Sequence, residues 1–386
     1  RLISLVTNNR IVAVGIGTLV TAIIQSSSVT TVMVVGFVNS GFMTLVQSLG
    51  VIMGANIGTT ITGWILVLKI GKYGLPLLGL FAFFYLFSKK EKLRFFSMAI
   101  MGIGMIFFGL ELMKLGFKPI RGNPQFEAWF AMFRADSYLG VLKCALAGCI
   151  LTSIVQSSSA TLGITMGLAM TGVINFQTAG ALVLGENIGT TVTALLASLG
   201  ATTNAKRSAY FHSIFNVLGV FWITAIYLPV YAPAIRAFVG VDPDTIVTVN
   251  GEETFPYICR AIASVHTGFN VINVILFLPL AGYIASLLTK VVPEKKHKEA
   301  PHLTQLDIRL LETPVIGIEQ SRVELLRMSE GVKKMMEYLK TILQAEEPDE
   351  NLIRKVFHRE EVMDIMQKEI TTFLADFLSA RLPHSY

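Results

Sequence analysis

Gln25-Ser26-Ser27-Ser28, followed by Gly54-Ala55-Asn56-Ile57-Gly58-Thr59-Thr60, is a polar phrase set in sequence apolar enough to lie in a membrane. It is written a second time, as Gln156-Ser157-Ser158-Ser159 and Gly185-Glu186-Asn187-Ile188-Gly189-Thr190-Thr191. The glutamines and the motif asparagines are each 131 residues apart, so the copies align without a gap. Thr30 with Thr161, Gly36 with Gly167 and Gly41 with Gly172 keep the same register. A duplicated unit with polar, glycine-interrupted segments in membrane sequence is the pattern of a secondary transporter whose site lies where the repeats meet.

Composition places the whole phrase in lipid. Of 386 residues, 53% are hydrophobic and 15% charged, where a soluble domain carries roughly 25% charged. Mean hydropathy is +0.60. The runs 11–68, 74–87, 95–117, 138–200, 208–234 and 258–289 hold few charges, and several exceed the roughly 20 apolar residues that cross a bilayer. The expected fold is therefore an all-α polytopic membrane protein. The alternation that would mark a transmembrane β-barrel is absent. The net charge of +6 does not point to nucleic acid, because the cations gather at the edges of the apolar runs: Lys89–Arg94, Lys206-Arg207 and Lys295–Lys298. Positive-inside bias explains them. Cys144, Cys149 and Cys259 lie in apolar sequence and suggest neither a disulfide framework nor a zinc site. Arg1–Arg10 contains no signal-peptide h-region.

The same charges predict a topology. With Lys89–Arg94 inside, 95–117 crosses outward and 118–137 lies outside. If 138–172 is a re-entrant hairpin, 174–200 crosses inward to Lys206-Arg207, 209–231 outward to 240–255, and 258–288 inward to Lys295–Lys298. The outer loop 240–255 carries Asp242, Asp244, Glu252 and Glu253 against no Lys or Arg. The first hairpin, at 11–38, then enters from the inner side and the second from the outer side, which makes the repeats inverted. The expected organisation is a first transmembrane repeat with the opening helix of repeat two at 1–137, the rest of repeat two at 138–292, a charged linker at 293–301 and a soluble helical region at 302–386. Shifted by the same offset, the counterpart of the helix at 95–117 would fall before residue 1, so one further transmembrane helix is expected upstream.

The motif chemistry suits an anion and a cation together. Non-helical backbone at membrane depth survives only where it is buried in protein or lines a cavity. Hydroxyls, an amide and the free N–H groups of a broken helix offer donors to a small oxyanion. No Arg or Lys stands in either motif, so bound Na⁺ would meet the negative charge through hydroxyl, amide and carbonyl oxygens. Glycines in the Gly-x-Asn-Ile-Gly-Thr-Thr segments would permit that backbone to unwind. Hydroxyl residues also pack transmembrane helices, but two copies in one register favour a site.

Over about residues 10–290 the paired motifs resemble the type II sodium–phosphate cotransporter family. The resemblance implies two inverted repeats with re-entrant hairpins, and inorganic phosphate moved with Na⁺ through a cell inner membrane. It places the phosphate site on Gln25, Ser26, Ser27, Ser28, Gln156, Ser157, Ser158 and Ser159. Sodium would be held or supported by Thr30, Asn56, Thr59, Thr60, Thr161, Asn187, Thr190 and Thr191. His212-x-x-Phe215-Asn216 and its echo His266-x-x-Phe269-Asn270 are expected to make helix-packing hydrogen bonds. Glu186 departs from Ala55 in repeat one. An intramembrane carboxylate is functional by default, so Glu186 joins the sodium candidates as a ligand or a titrating group.

The region after 301 resembles part of a PhoU-like helical domain, placed in the cytoplasm. Its two amphipathic helices need a further helix or a partner, a second copy included, to bury both faces. Glu360 and Asp364 resemble that family's acidic metal motif. Two other function classes stay open: a phosphate-sensing receptor that signals through this tail, and an intramembrane serine hydrolase. The second requires His212 or His266 to reach a serine.

Overall fold

A helix stops where its chain turns left-handed, and two glutamines do this here. The computed structural model describes residues 7, 9–68, 73–117, 133–249, 252–293, 314–345 and 349–379. Among them, Gln25 (φ 58°, ψ 25°) and Gln156 (φ 57°, ψ 24°) are the non-glycine residues with positive φ. Helix α1 (Arg10–Ile24) ends at the first, and α2 (Ser27–Asn39) starts two residues later. Helix α6 (Tyr138–Val155) ends at the second, and α7 (Ser158–Met170) follows in the same way. Each glutamine N–H donates to the carbonyl four residues back, Thr21 O and Thr152 O, at 2.7 Å in both copies. A left-handed residue with a Cβ costs roughly 1–2 kcal/mol. Strain of this kind, held twice at the same motif position, is the sort that functional sites retain.

The second motif corrects the sequence reading. Helix α3 (Leu45–Val67) runs unbroken through Asn56, Thr59 and Thr60. In the other copy only Thr190 separates α8 (Phe176–Gly189) from α9 (Thr191–Ala197), and its backbone stays right-handed. The glycines serve contact rather than unwinding. A Cβ on Gly17 would strike the Val51 carbonyl, and one on Gly54 the Val14 carbonyl. Shifted by the repeat offset, Gly148 faces the Leu182 carbonyl and Gly185 the Ala145 carbonyl in the same way. Gly58 and Gly189 close the pattern, each allowing 2.6 Å and 2.7 Å from a built Cβ to the Cβ of Thr21 and Thr152. Small residues thus bring α1 against α3, and α6 against α8, backbone to backbone.

Two further helices, α4 (Gly74–Phe87) and α5 (Glu91–Phe117), stand between the copies. After them α10 (Thr203–Ile226) passes through a π turn at Tyr227–Tyr231, which contains Pro229, into α11 (Ala232–Val239). The 37 residues of Thr203–Val239 form one long apolar element, longer than the crossing expected at 209–231. The acidic loop that follows is not bare, because Arg236 reaches it from α11 and pairs with Asp242 at 3.3 Å and Asp244 at 3.0 Å. Asp244 also accepts the Phe176 N–H at 2.8 Å, at the first turn of α8. Burial pushes the Asp244 carboxyl above the ordinary aspartate range, against the opposing pull of that amide and of Arg236. Strands β1 (Val247–Val249) and β2 (Glu252–Thr254) pair antiparallel and, among the described residues, are the small exception to helical structure. Helices α12 (Ile258–Phe277) and α13 (Ala281–Val291) complete this part.

Among the described residues, six helices are long and apolar enough to cross a membrane: α3, α5, α6, α8 with α9, α10 with α11, and α12. The protein is an all-α polytopic membrane protein. Helices α1, α2, α4 and α7 are apolar but shorter. The buried cores are shared between the copies: Leu66 packs with Leu162 and Met166, while Leu49 and Met53 pack with Phe211 and Phe215.

The chain forms two compact units, Arg1–Val38 with Phe42–Val292, and Asn39–Gly41 with Pro293–Tyr386. In the second, α14 (Pro314–Gln344) and α15 (Glu350–Ser379) pack together, burying Val362, Met366, Ile370 and Phe373. Leu326, Val332, Met336 and Leu343 on α14 stay exposed. The linker from 294 to 301, the cluster Lys295–Lys298 and most of the expected outer segment 118–137 lie outside the described residues.

Candidate functional site

The break at each glutamine starts a new helix on serines, and this fixes what the serines can do. Ser26 Oγ accepts the Val29 N–H, and Ser157 Oγ accepts the Ala160 N–H, both at 3.2 Å. Each caps its own helix with a lone pair and keeps its hydroxyl proton to donate. Ser27 is buried and Ser28, Ser158 and Ser159 half-buried, beside the first-turn N–H groups that an α-helix leaves without intrahelical partners. The two serine motifs are therefore rich in donors.

The threonines behave in the opposite way. Thr59 donates to Ala55 O at 2.9 Å and Thr60 to Ile57 O at 2.8 Å. Thr190 and Thr191 repeat this onto Glu186 O at 2.9 Å and Ile188 O at 2.8 Å. Thr30 and Thr161 donate to Ser26 O at 3.1 Å and Ser157 O at 3.0 Å. A hydroxyl that spends its proton on its own helix presents only lone pairs, which suits a hard cation and not an anion.

The two motif asparagines each spend an amide N–H on their own helix, which among the described residues leaves the Asn56 Oδ1 lone pairs free but not those of Asn187. Asn56 Nδ2 donates to Ile52 O at 2.9 Å, and Asn187 Nδ2 to Val183 O at 2.9 Å. Asn187 Oδ1 also accepts Asn270 Nδ2 at 3.2 Å and lies 3.3 Å from His266 Nε2. His266 and Asn270 thus make the expected packing bonds, to a motif residue. His212 does not: neither ring nitrogen has a hydrogen-bond partner among the described residues, nor does Asn216 Oδ1. Next to His266, Thr267 accepts Trp64 Nε1 at 2.9 Å, so α12 ties to α3 as well as to α8.

Glu186 is 1% exposed. Its Oε1 accepts the Thr165 hydroxyl at 2.8 Å, while Oε2 has no partner among the described residues. By the repeat offset, Thr165 and Glu186 correspond to Val34 and Ala55, so both members of this polar pair are absent from repeat one. Sequence reasoning found Glu186 and missed Thr165.

It also missed Thr62, which joins the two copies. Thr62 Oγ1 donates to Gln25 Oε1 at 2.9 Å and lies 3.4 Å from Ser159 Oγ, which donates to it. The signal was present: both copies continue to Asn-Ile-Gly-Thr-Thr-x-Thr, ending at Thr62 and Thr193. Glu360 and Asp364 are exposed on α15, and no group of three or more His, Cys, Asp or Glu side chains able to hold a metal forms among the described residues.

The chain is a polytopic helical bundle that carries a duplicated polar motif without Arg or Lys. The Na⁺/Pi-cotransporter family model matches residues 1–115 and 123–240, and the chain belongs to that family. The uncharacterized protein YqeW of Bacillus subtilis is 33% identical over 71% of this chain and 82% of its own length. The "Putative inorganic phosphate export protein YjbB" of Salmonella typhimurium is 27% identical over 89% of this chain. The chain spans 59% of the length of that relative. Sodium-dependent phosphate transport protein 2C of Homo sapiens is 39% identical over 26% of this chain and 18% of its own length. No solved structure gives a significant match.

Proposed function

We propose that the protein is a Na⁺-coupled secondary transporter of inorganic phosphate, working by alternating access between two inverted repeats. The observation that carries this is the division of labour at the site. Within Gln25–Ser28 and Gln156–Ser159 the serine hydroxyls not spent elsewhere offer hydrogen bonds to an oxyanion, Ser159 being tied to Thr62 in this state, while Thr30, Thr59, Thr60, Thr161, Thr190 and Thr191 supply lone pairs to Na⁺. Asn56 adds its Oδ1 to the sodium set, Asn187 positions these elements, and Glu186 is the anionic sodium ligand of repeat two. Phosphate then balances its charge with co-bound Na⁺, and neither ion is stable in the site without the other. The helix breaks at Gln25 and Gln156 support re-entrant hairpins, and the charge pattern supports their entry from opposite faces. The charge clusters support a cytoplasmic position for the helical tail.

An inward Na⁺ gradient would drive import. The name of the Salmonella relative makes the direction the first thing to measure. The test is radiolabelled phosphate flux in proteoliposomes with Na⁺ gradients of either sign. Flux that follows the gradient supports coupling, and equal flux with choline in place of Na⁺ removes it. A phosphate receptor, the second class of function, would move no phosphate at all.

A further inference from the structure

The link through Thr62 is made on one side only. Its three members are Gln25, Thr62 and Ser159, and the repeat offset turns them into Gln156, Thr193 and Ser28. The second set holds the same chemical groups but is not assembled. Thr193 Oγ1 donates instead to Thr190 O of its own helix at 2.9 Å. Gln156 is exposed where Gln25 is half-buried. A second pair of like segments, both within 138–292 and not related by the repeat offset, also differs in its bonding. The His-x-x-Phe-Asn segment of α12 engages Asn187 through His266 and Asn270. In its echo on α10, His212 and Asn216 Oδ1 have no partner among the described residues. Two copies of one sequence pattern thus hold two different hydrogen-bonded states.

We propose that Thr62 and Thr193 are positioning residues for transport, each closing one side of the phosphate site in turn. In the state described here Thr62 ties the first glutamine to the last serine of the second motif. In the opposite-facing state Thr193 leaves Thr190 O, takes the Gln156 amide oxygen and accepts Ser28, while Thr62 folds back onto its own helix. The hydrogen bonds gained and lost are of the same kind, so the exchange is close to isoenergetic. A bistable element of this kind is what alternating access needs. The inference rests on the inverted-repeat reading above.

The test is the sidedness of thiol labelling. A reporter cysteine, Ser26→Cys, is placed in a background with Cys144, Cys149 and Cys259 replaced by Ala, reconstituted in proteoliposomes without phosphate. An impermeant methanethiosulfonate is then added to either face. Thr62→Val keeps the shape and removes the hydroxyl, and should shift the ratio of labelling rates towards one face by about fivefold or more, the worth of a typical hydrogen bond. Thr193→Val should shift it towards the opposite face, and Thr62→Ser should restore the parent ratio. If both valine variants shift the ratio to the same face, or neither shifts it, the alternating bridge is wrong. Labelling does not require transport. Failure of the coupled-transport reading, seen as absent phosphate flux in the protein that retains Ser26, is therefore read separately.

Discussion

Each serine at the broken helix ends is a hydroxyl donor whose loss leaves a desolvated oxyanion one bond short. Ser27→Ala and Ser158→Ala should each cost about 1–3 kcal/mol, raising half-saturating phosphate by roughly five- to a hundredfold in an uptake assay. Glu186→Gln keeps the shape and the bond from Thr165 but removes the charge. The Na⁺ concentration for half-maximal uptake should then rise while that for phosphate at saturating Na⁺ changes little; an unchanged Na⁺ dependence would leave Glu186 a structural residue. At this scale the sequence was legible where it repeated itself. Gln25, the serines and Asn187 stood out because each had a twin. Glu186 stood out because its twin was Ala55. Thr62 and Thr165 were missed for opposite reasons. The first lay two residues past the motif as it was delimited, and the second is an ordinary threonine until its contact with Glu186 is seen.

Between elements, glycine decides how closely the helices approach. Gly54→Ala and Gly185→Ala place a methyl against a carbonyl oxygen of the facing helix, with no flexible side chain able to give way. Overpacking of this kind costs about 1–3 kcal/mol or more and should lower the thermal unfolding midpoint of the detergent-solubilised protein. Gly15→Ala, on helix α1 that faces Gly54 but with nothing within 4 Å of a built Cβ, should leave the midpoint unchanged or raise it, since alanine is the better helix former by up to about 1 kcal/mol. Equal destabilisation by Gly15→Ala and Gly54→Ala would mean that the contact geometry is not what these glycines provide. The helix breaks themselves were legible, because three serines after a glutamine give a helix end many caps. The unbroken course of α3 was not. Glycine in a membrane helix signals either freedom or close contact, and only the facing backbone of α1 tells which. The acidic loop was half legible for a related reason: its counter-charge, Arg236, lies on the preceding helix, outside the loop that the charges defined.

For the whole molecule, the charge clusters, the duplication and the hydropathy together led to a polytopic helical fold, because lipid leaves the backbone few alternatives. They also imply that the two hairpins enter from opposite faces. Asn39→Cys and Met170→Cys occupy equivalent positions at the ends of α2 and α7, and avoid the neighbouring Gly41 and Gly172, whose φ of 74° disfavours a side chain. In a Cys-free background Asn39→Cys should label from the cytoplasmic face and Met170→Cys from the other; labelling of both from one face would refute the inversion. The proposed site holds one anion jointly between both motifs together with Na⁺. Calorimetric titration of phosphate into the purified protein tests this most directly. Phosphate should bind in Na⁺ and not detectably in choline, with both Ser27→Ala and Ser158→Ala weakening it. Equal binding in choline, or a loss confined to one of the two serines, would contradict a shared, sodium-linked site.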